Sequence, residues 1–205
     1  MKYTILSVLL CVTFSCFGQQ CLDVNFKLRG YFYAGSSIED STAFGGFYKD
    51  ENIPKKLDFI KKIFEEDKLQ IIVCLDSTTN FTDKISGFKI FVVNKTDSIS
   101  ELVAQDSRLY LKRQVFYKNK WQDIEYIPSS WCGNSYHSVF IKPNQYWEFV
   151  APCVEGKIKA TCRFELFING KIVIYSNEFE GSFNKAQLKK LQGHTSQGLM
   201  DSYNN

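Results

Sequence analysis

The sequence predicts a mainly β protein built as an antiparallel β-sandwich, and three observations predict it. From Lys68 onward, β-rich runs of strand length recur at 69–75, 87–93, 109–117, 136–141, 146–151, 158–168 and 171–176, each bounded by turn chemistry. Asn169-Gly170 separates Phe164-Glu165-Leu166-Phe167-Ile168 from Lys171-Ile172-Val173-Ile174-Tyr175, the strongest short-range hairpin signal a sequence carries. No helical pattern intervenes between these runs to make the crossovers that a parallel sheet needs.

In chain order, Lys2 supplies a positive end and Ile5 to Phe17 an apolar stretch too short to span a bilayer. Cys16 and Gly18 then stand at the small-residue positions before a cut ahead of Gln19. Residues 1–18 are therefore read as a signal peptide and the protein as exported, to a periplasm or the extracellular space. A lipoprotein with acylated Cys16 or Cys21 fits less well, because neither follows the usual Leu-small-small pattern. Beyond residue 21 no apolar run is long enough for a membrane helix, so no transmembrane segment is expected in the mature chain.

Residues 19–67 form an N-terminal extension. Val24, Phe26 and Leu28 alternate with Asn25, Lys27 and Arg29 at strand period, and a polar loop follows between Gly35 and Gly46. One amphipathic helix is expected next: Asn52 caps it, Pro54 fits its first turn, Leu57, Ile60, Ile63 and Phe64 share one face, and it stops by Asp67. Residues 68–183 carry the sandwich. In its longest run Ile158, Ala160, Cys162, Phe164 and Leu166 share a core face, and Lys159, Thr161, Arg163 and Glu165 a wet one. Asn119-Lys120 and Pro143-Asn144 punctuate two further pairs of runs. Residues 184–205 are read as a short helix at 186–191 and a disordered tail.

The composition, 44% hydrophobic and 16% aromatic in 205 residues, is enough for one substantial core. The net charge of +3 is small and the lysines are spread, which gives nucleic-acid binding no support. With two histidines there is no metal triad, and Glu39-Asp40 and Glu65-Glu66-Asp67 read as solvated surface; neither metal nor cofactor is expected. No nucleophile elbow, Walker sequence or dinucleotide fingerprint occurs.

Of the seven cysteines, Cys11 and Cys16 belong to the leader, leaving Cys21, Cys74, Cys132, Cys153 and Cys162 in an oxidising compartment. Several pairings remain open. Cys153 with Cys162 is favoured, since Glu155-Gly156 between them looks like a hairpin end, although a tight turn there would set Cys153 opposite Ile158.

Residues 129–137 hold the candidate site, packing Trp131, Cys132, Gly133, Asn134, Tyr136 and His137 between two alternating runs. Read as a rim loop, they offer Trp131, Asn134, Tyr136 and His137 as binding residues, with Trp121, Tyr126 and Trp147 nearby in sequence. Read as chemistry, Cys132 and His137 are a nucleophile and base, a pairing usually drawn from segments far apart in sequence.

The order of features resembles the immunoglobulin-like β-sandwich domains found in exported bacterial proteins. The matching stretches are Asn94-Lys95-Thr96-Asp97-Ser98, Arg108-Leu109-Tyr110-Leu111 leading into Asn119-Lys120-Trp121, Tyr146-Trp147-Glu148-Phe149, and Tyr175-Ser176-Asn177-Glu178-Phe179. The resemblance spans residues 68–183 and implies a fold without an activity. The expected function is accordingly a non-enzymatic envelope module that binds or scaffolds a protein or glycan, with a Cys132/His137 hydrolase as the alternative.

Overall fold

The expected runs form strands because side chains along them find apolar neighbours, although 109–117 breaks at Tyr110 into two strands of different sheets. The structure, a computed structural model, describes residues 20–43, 50–57, 64–130, 133–170 and 172–192. Short strands open the chain: β1 (Leu22–Asp23), β2 (Leu28–Arg29) and β3 (Lys55–Lys56). They are followed by β4 (Leu69–Asn80), β5 (Ser86–Asn94), β6 (Ser100–Gln105), β7 (Arg108–Leu109), β8 (Leu111–Tyr117), β9 (Lys120–Asp123) and β10 (Glu125–Tyr126). The last part contains β11 (Tyr136–Ile141), β12 (Gln145–Pro152), β13 (Val154–Glu155), β14 (Ile158–Asn169), β15 (Ile172–Tyr175) and β16 (Phe179–Phe183).

The longer strands pair antiparallel. One sheet has the order β3-β12-β5-β4, a second β15-β14-β8-β9 with β16 also on β14, and a third β11-β6-β7. Among the described residues, parallel pairing occurs in the two-residue ladders β1 with β13 and β2 with β10 and in isolated bridges such as Gln20 with Ile85 and Ile71 with Ser176. All three antiparallel sheets feed one core: Ile71, Ile90, Trp147 and Phe149 from the first, Leu111, Phe164, Leu166 and Phe183 from the second, Leu102 and Ile141 from the third. Phe32 and Ala34 from the N-terminal extension enter the same core. Phe32 meets Phe149 and Phe164 edge to face at centroid distances of 5.5 and 5.7 Å, and burying each such ring contributes about 1.5–3 kcal/mol.

The hairpin expected at Asn169-Gly170 joins β14 to β15, one residue later than expected: Asn169 ends β14 opposite Ile172, and Gly170 is in the left-handed region. The Asn119 turn joins β8 to β9, with Lys118 and Asn119 both at positive φ between the paired Tyr117 and Lys120. Pro143-Asn144 does something different: β11 pairs with β6 and β12 with β5, so this turn carries the chain from one sheet to another. Strands β6 and β16 were not among the expected runs. Each is short, and only alternate positions, Leu102 and Ala104 in one and Phe179 and Phe183 in the other, turn into the core.

Two helix expectations need correction. Lys55–Lys56, in the first turn of the expected helix, is instead strand β3 on the edge of β12, with Lys55 opposite Tyr146. Phe64 and Glu65 are irregular, Glu66 and Asp67 form a turn, and 58–63 lie outside the described residues. Among the described residues there is no α-helix; backbone pairing along β12 displaces the helical period at Lys55 and Lys56. At 185–188, where a short helix was expected from 186, the chain makes a 3-10 turn, Lys185–Leu188, stapled by Gln187 and Asn184.

The expected Cys153–Cys162 bridge does not form; Cys153 is joined to Cys21. The physical reason is topological. Cys153 lies between β12 and β13, and β13 ladders with β1, where Leu22 N donates to Cys153 O at 2.8 Å. Gly156 runs against the backbone of Phe183 so closely that an added Cβ would sit 2.1 Å from its carbonyl carbon, which takes the chain toward β16 and away from a hairpin. Cys162 then sits inside β14 on the core face, buried and reduced.

The expected signal peptide at 1–18, Cys16 included, and the tail from 193 lie outside the described residues. Among the described residues no helix is long and apolar enough to cross a membrane.

Candidate functional site

The end of the molecule near residues 129–137 is built by a two-residue turn. Asp106 and Ser107, both at positive φ, connect Gln105 to its partner Arg108 and so fold β6 onto β7. Tyr136 on β11 lies opposite Gln105, and Asp106 N donates to Ser135 O at 2.8 Å. On the other side Tyr33 bridges Arg108, and Leu109 N donates to Phe32 O at 2.9 Å. Since Leu109 is buried in the core, the pleat directs Arg108 to the opposite side of its strand.

Arg108 is 4% exposed. Its Nη2 donates to Tyr33 Oη at 2.6 Å and its guanidinium carbon lies 5.0 Å from the Tyr33 ring centroid, so an exposed tyrosine covers a buried cation. Its stem passes Gly30, where a Cβ would stand 3.1 Å from Arg108 Cδ and 2.3 Å from Ile127 Cδ1, so a larger residue there would make the Ile127 side chain move. Arg29 is close enough for burial and the Arg108 charge together to lower its pKa. Tyr110 is pushed up to about 12 by burial and by the neighbouring Tyr136, with which it hydrogen-bonds, while Arg108 pulls it the other way. Burial also raises Tyr126, which donates to Gln192 O.

The sequence-predicted site residues separate around this cluster. Tyr136 is 39% exposed and is fixed by Ser130, whose N donates to its oxygen at 3.0 Å and whose carbonyl accepts from it at 3.2 Å. Asn134 is exposed in the 3-10 turn Gly133–Ser135. His137 is different: with Val139 and Ile141 it occupies the inward face of β11 and is 6% exposed. Burial pushes its pKa down, against the pull of the Ser135 backbone, Asp40 and Asp106. Asp40 is itself buried and accepts from Ser138 N at 2.7 Å and Thr42 Oγ1 at 2.6 Å. Trp131 and Cys132 lie outside the described residues.

The other expected aromatics are spent internally. Trp147 is fully buried and its indole donates to Gly35 O at 2.8 Å. Trp121 lies on the outer face of the second sheet, where the Arg163 guanidinium is held between its ring at 4.0 Å and that of Tyr175 at 3.7 Å. That is a self-contained ladder, closed by Arg163 Nε donating to Gln114 Oε1 at 2.9 Å. Among the described residues no group of three or more His, Cys, Asp and Glu is arranged to hold a metal ion. Sequence reasoning missed Arg29, Tyr33 and Arg108; the available signal was Arg108 and Tyr110 alternating with Leu109 and Leu111, which reads as an ordinary wet face.

No family model, no curated protein and no solved structure matches this chain.

Proposed function

We propose that the protein is an exported, non-enzymatic binding module with an immunoglobulin-like sandwich, which contacts an envelope protein or glycan through the tyrosine rim at the β6–β7 and β11 end. One observation carries this reading: Tyr33 and Tyr136, each 39% exposed, are both held in place by hydrogen bonds, to Arg108 and to Ser130. Exposed tyrosines that are already ordered offer contact area at low entropic cost, which is what a binding surface needs. Export is supported by the leader-like residues 1–18 and by the Cys21–Cys153 bridge, a bond that persists in oxidising compartments. The inward position of His137 favours binding over a Cys132/His137 hydrolase, because a buried imidazole is poorly placed to take a substrate proton.

The test is a pull-down from the envelope of the source cells with the wild-type protein and with Tyr33→Ala/Tyr136→Ala. A partner retained by the first and lost by the second is the expected result. Equal retention by both would remove the rim from consideration.

A further inference from the structure

We infer that Arg108 is the base of a carboxylate-binding subsite, which receives one acidic side chain of a protein partner. The inference rests on the reading of the tyrosine rim as a binding surface and specifies what that surface recognises. A guanidinium carries five N–H bonds and no acceptor, and it stays charged in any protein environment. Arg108 is 4% exposed, yet Nε and Nη1 have no hydrogen-bond partner; Nη2 alone is bonded, to Tyr33. No carboxylate forms an ion pair with it among the described residues, whereas the other deeply buried arginine, Arg113, is paired with Glu125. A buried charge without a counter-charge is expensive, and an incoming anion would relieve that cost.

The surroundings select the anion. Arg29 stands near Arg108 and sets a second positive charge beside it, which favours an anion over a neutral ligand. A singly charged carboxylate costs less to strip of water at this depth than a phosphate dianion does. Depth selects the carrier. The guanidinium lies beneath Tyr33, so the acid must project from its parent chain on a narrow stem, as Glu or Asp does. A uronic acid carries its carboxylate directly on a ring too broad to follow.

The experiment titrates the full mature protein, observed by NMR at the Arg108 Nε–H and the tyrosine ring signals, with N-acetyl-glutamic acid amide. N-acetyl-glutamine amide, glucuronate, phosphate and chloride, at matched ionic strength, are the comparisons. The expected result is a saturable shift with the glutamate compound, absent with its glutamine analogue and at least about tenfold weaker with glucuronate or phosphate. Arg108→Met removes an uncompensated charge and keeps the stem, so it is expected to fold at least as well as wild type and to lose affinity at least about tenfold. Arg29→Gln, at a less buried position, is expected to weaken binding by a smaller factor and serves if Arg108→Met does not fold.

The inference is overturned by any of four results: no saturable shift with the glutamate compound, an equal shift with its glutamine analogue or chloride, tighter binding of phosphate or glucuronate, or unchanged affinity in Arg108→Met. These titrations need no natural partner. A failed pull-down with an intact carboxylate site, or the reverse, therefore separates this inference from the broader binding role.

Discussion

Arg113 Nε lies 3.4 Å from Glu125 Oε1, and both side chains are almost wholly shut off from water, at 3% and 1% exposure. Glu125 also accepts from Tyr31 Oη at 2.7 Å and from Arg113 N at 2.9 Å, while Arg113 Nη2 donates to Pro152 O at 2.8 Å. Burial pushes the Glu125 carboxyl up, and Arg113 and Tyr31 pull it back. Removing one member strands the other, so Arg113→Ala or Glu125→Ala is expected to cost about 3–5 kcal/mol in urea unfolding. Arg113→Met with Glu125→Leu is expected to cost less than either single change. A double variant that loses the sum of the two would show that the pair is not coupled.

Cys21 and Cys153 close a loop of sequence separation 132. In the chain-entropy account a loop of that length stabilises by roughly 4–5 kcal/mol, so Cys21→Ser with Cys153→Ser is expected to lower the denaturation midpoint accordingly. Peptide mapping after alkylation near neutral pH provides a second check. Cys74 is partly exposed and is expected to label in the native protein; Cys162, buried with its thiol pushed up to about 11, is expected to label only after unfolding.

Asn177 closes the open edge of β4. Its Oδ1 accepts from Val73 N at 2.8 Å and its Nδ2 donates to Val73 O at 3.1 Å, so a side-chain amide stands in for a neighbouring strand. Asn177→Ala is expected to cost about 1–3 kcal/mol and to raise the aggregation rate measured by light scattering, because an unpaired strand edge is a template for another. An unchanged midpoint would mean that water replaces the amide at no cost.

Acid is expected to weaken the fold in two stages. The His137 pKa is lowered in the folded state, so its contribution is fully present above the ordinary histidine range. It is lost as pH falls through that range, because the unfolded chain takes the proton first. Despite the opposing push of burial, Asp40 is lowered by its bonds to Thr42 and Ser138, and its contribution is lost lower down, as pH falls through the ordinary carboxylate range. Urea midpoints measured across this interval should show both steps, with His137→Asn removing the first and Asp40→Asn the second.

The sequence by itself determined the mainly β class, the core face of the longest strand and the hairpins at Asn119 and Asn169-Gly170. These are local properties: the alternation of Ile158, Ala160, Cys162, Phe164 and Leu166 has one solution with a buried face, and Asn169-Gly170 admits the conformation that a tight hairpin needs. Short strands without apolar alternation, such as β6, were not legible, since their burial depends on what covers them. Tertiary structure alone decided the rest. Cys153 pairs across the chain with Cys21 because the ladder of β1 on β13 is long-range. The expected helix gave way at Lys55 to an edge of β12 for the same reason. The cluster at the β6–β7 end was invisible for a related cause: Arg29, Tyr33, Arg108 and Tyr136 lie on four segments, and the burial of a charge belongs to none of them singly. Asn134 and Tyr136 are exposed as expected, whereas His137 turns inward, and the buried charge nearby comes from elsewhere in the chain.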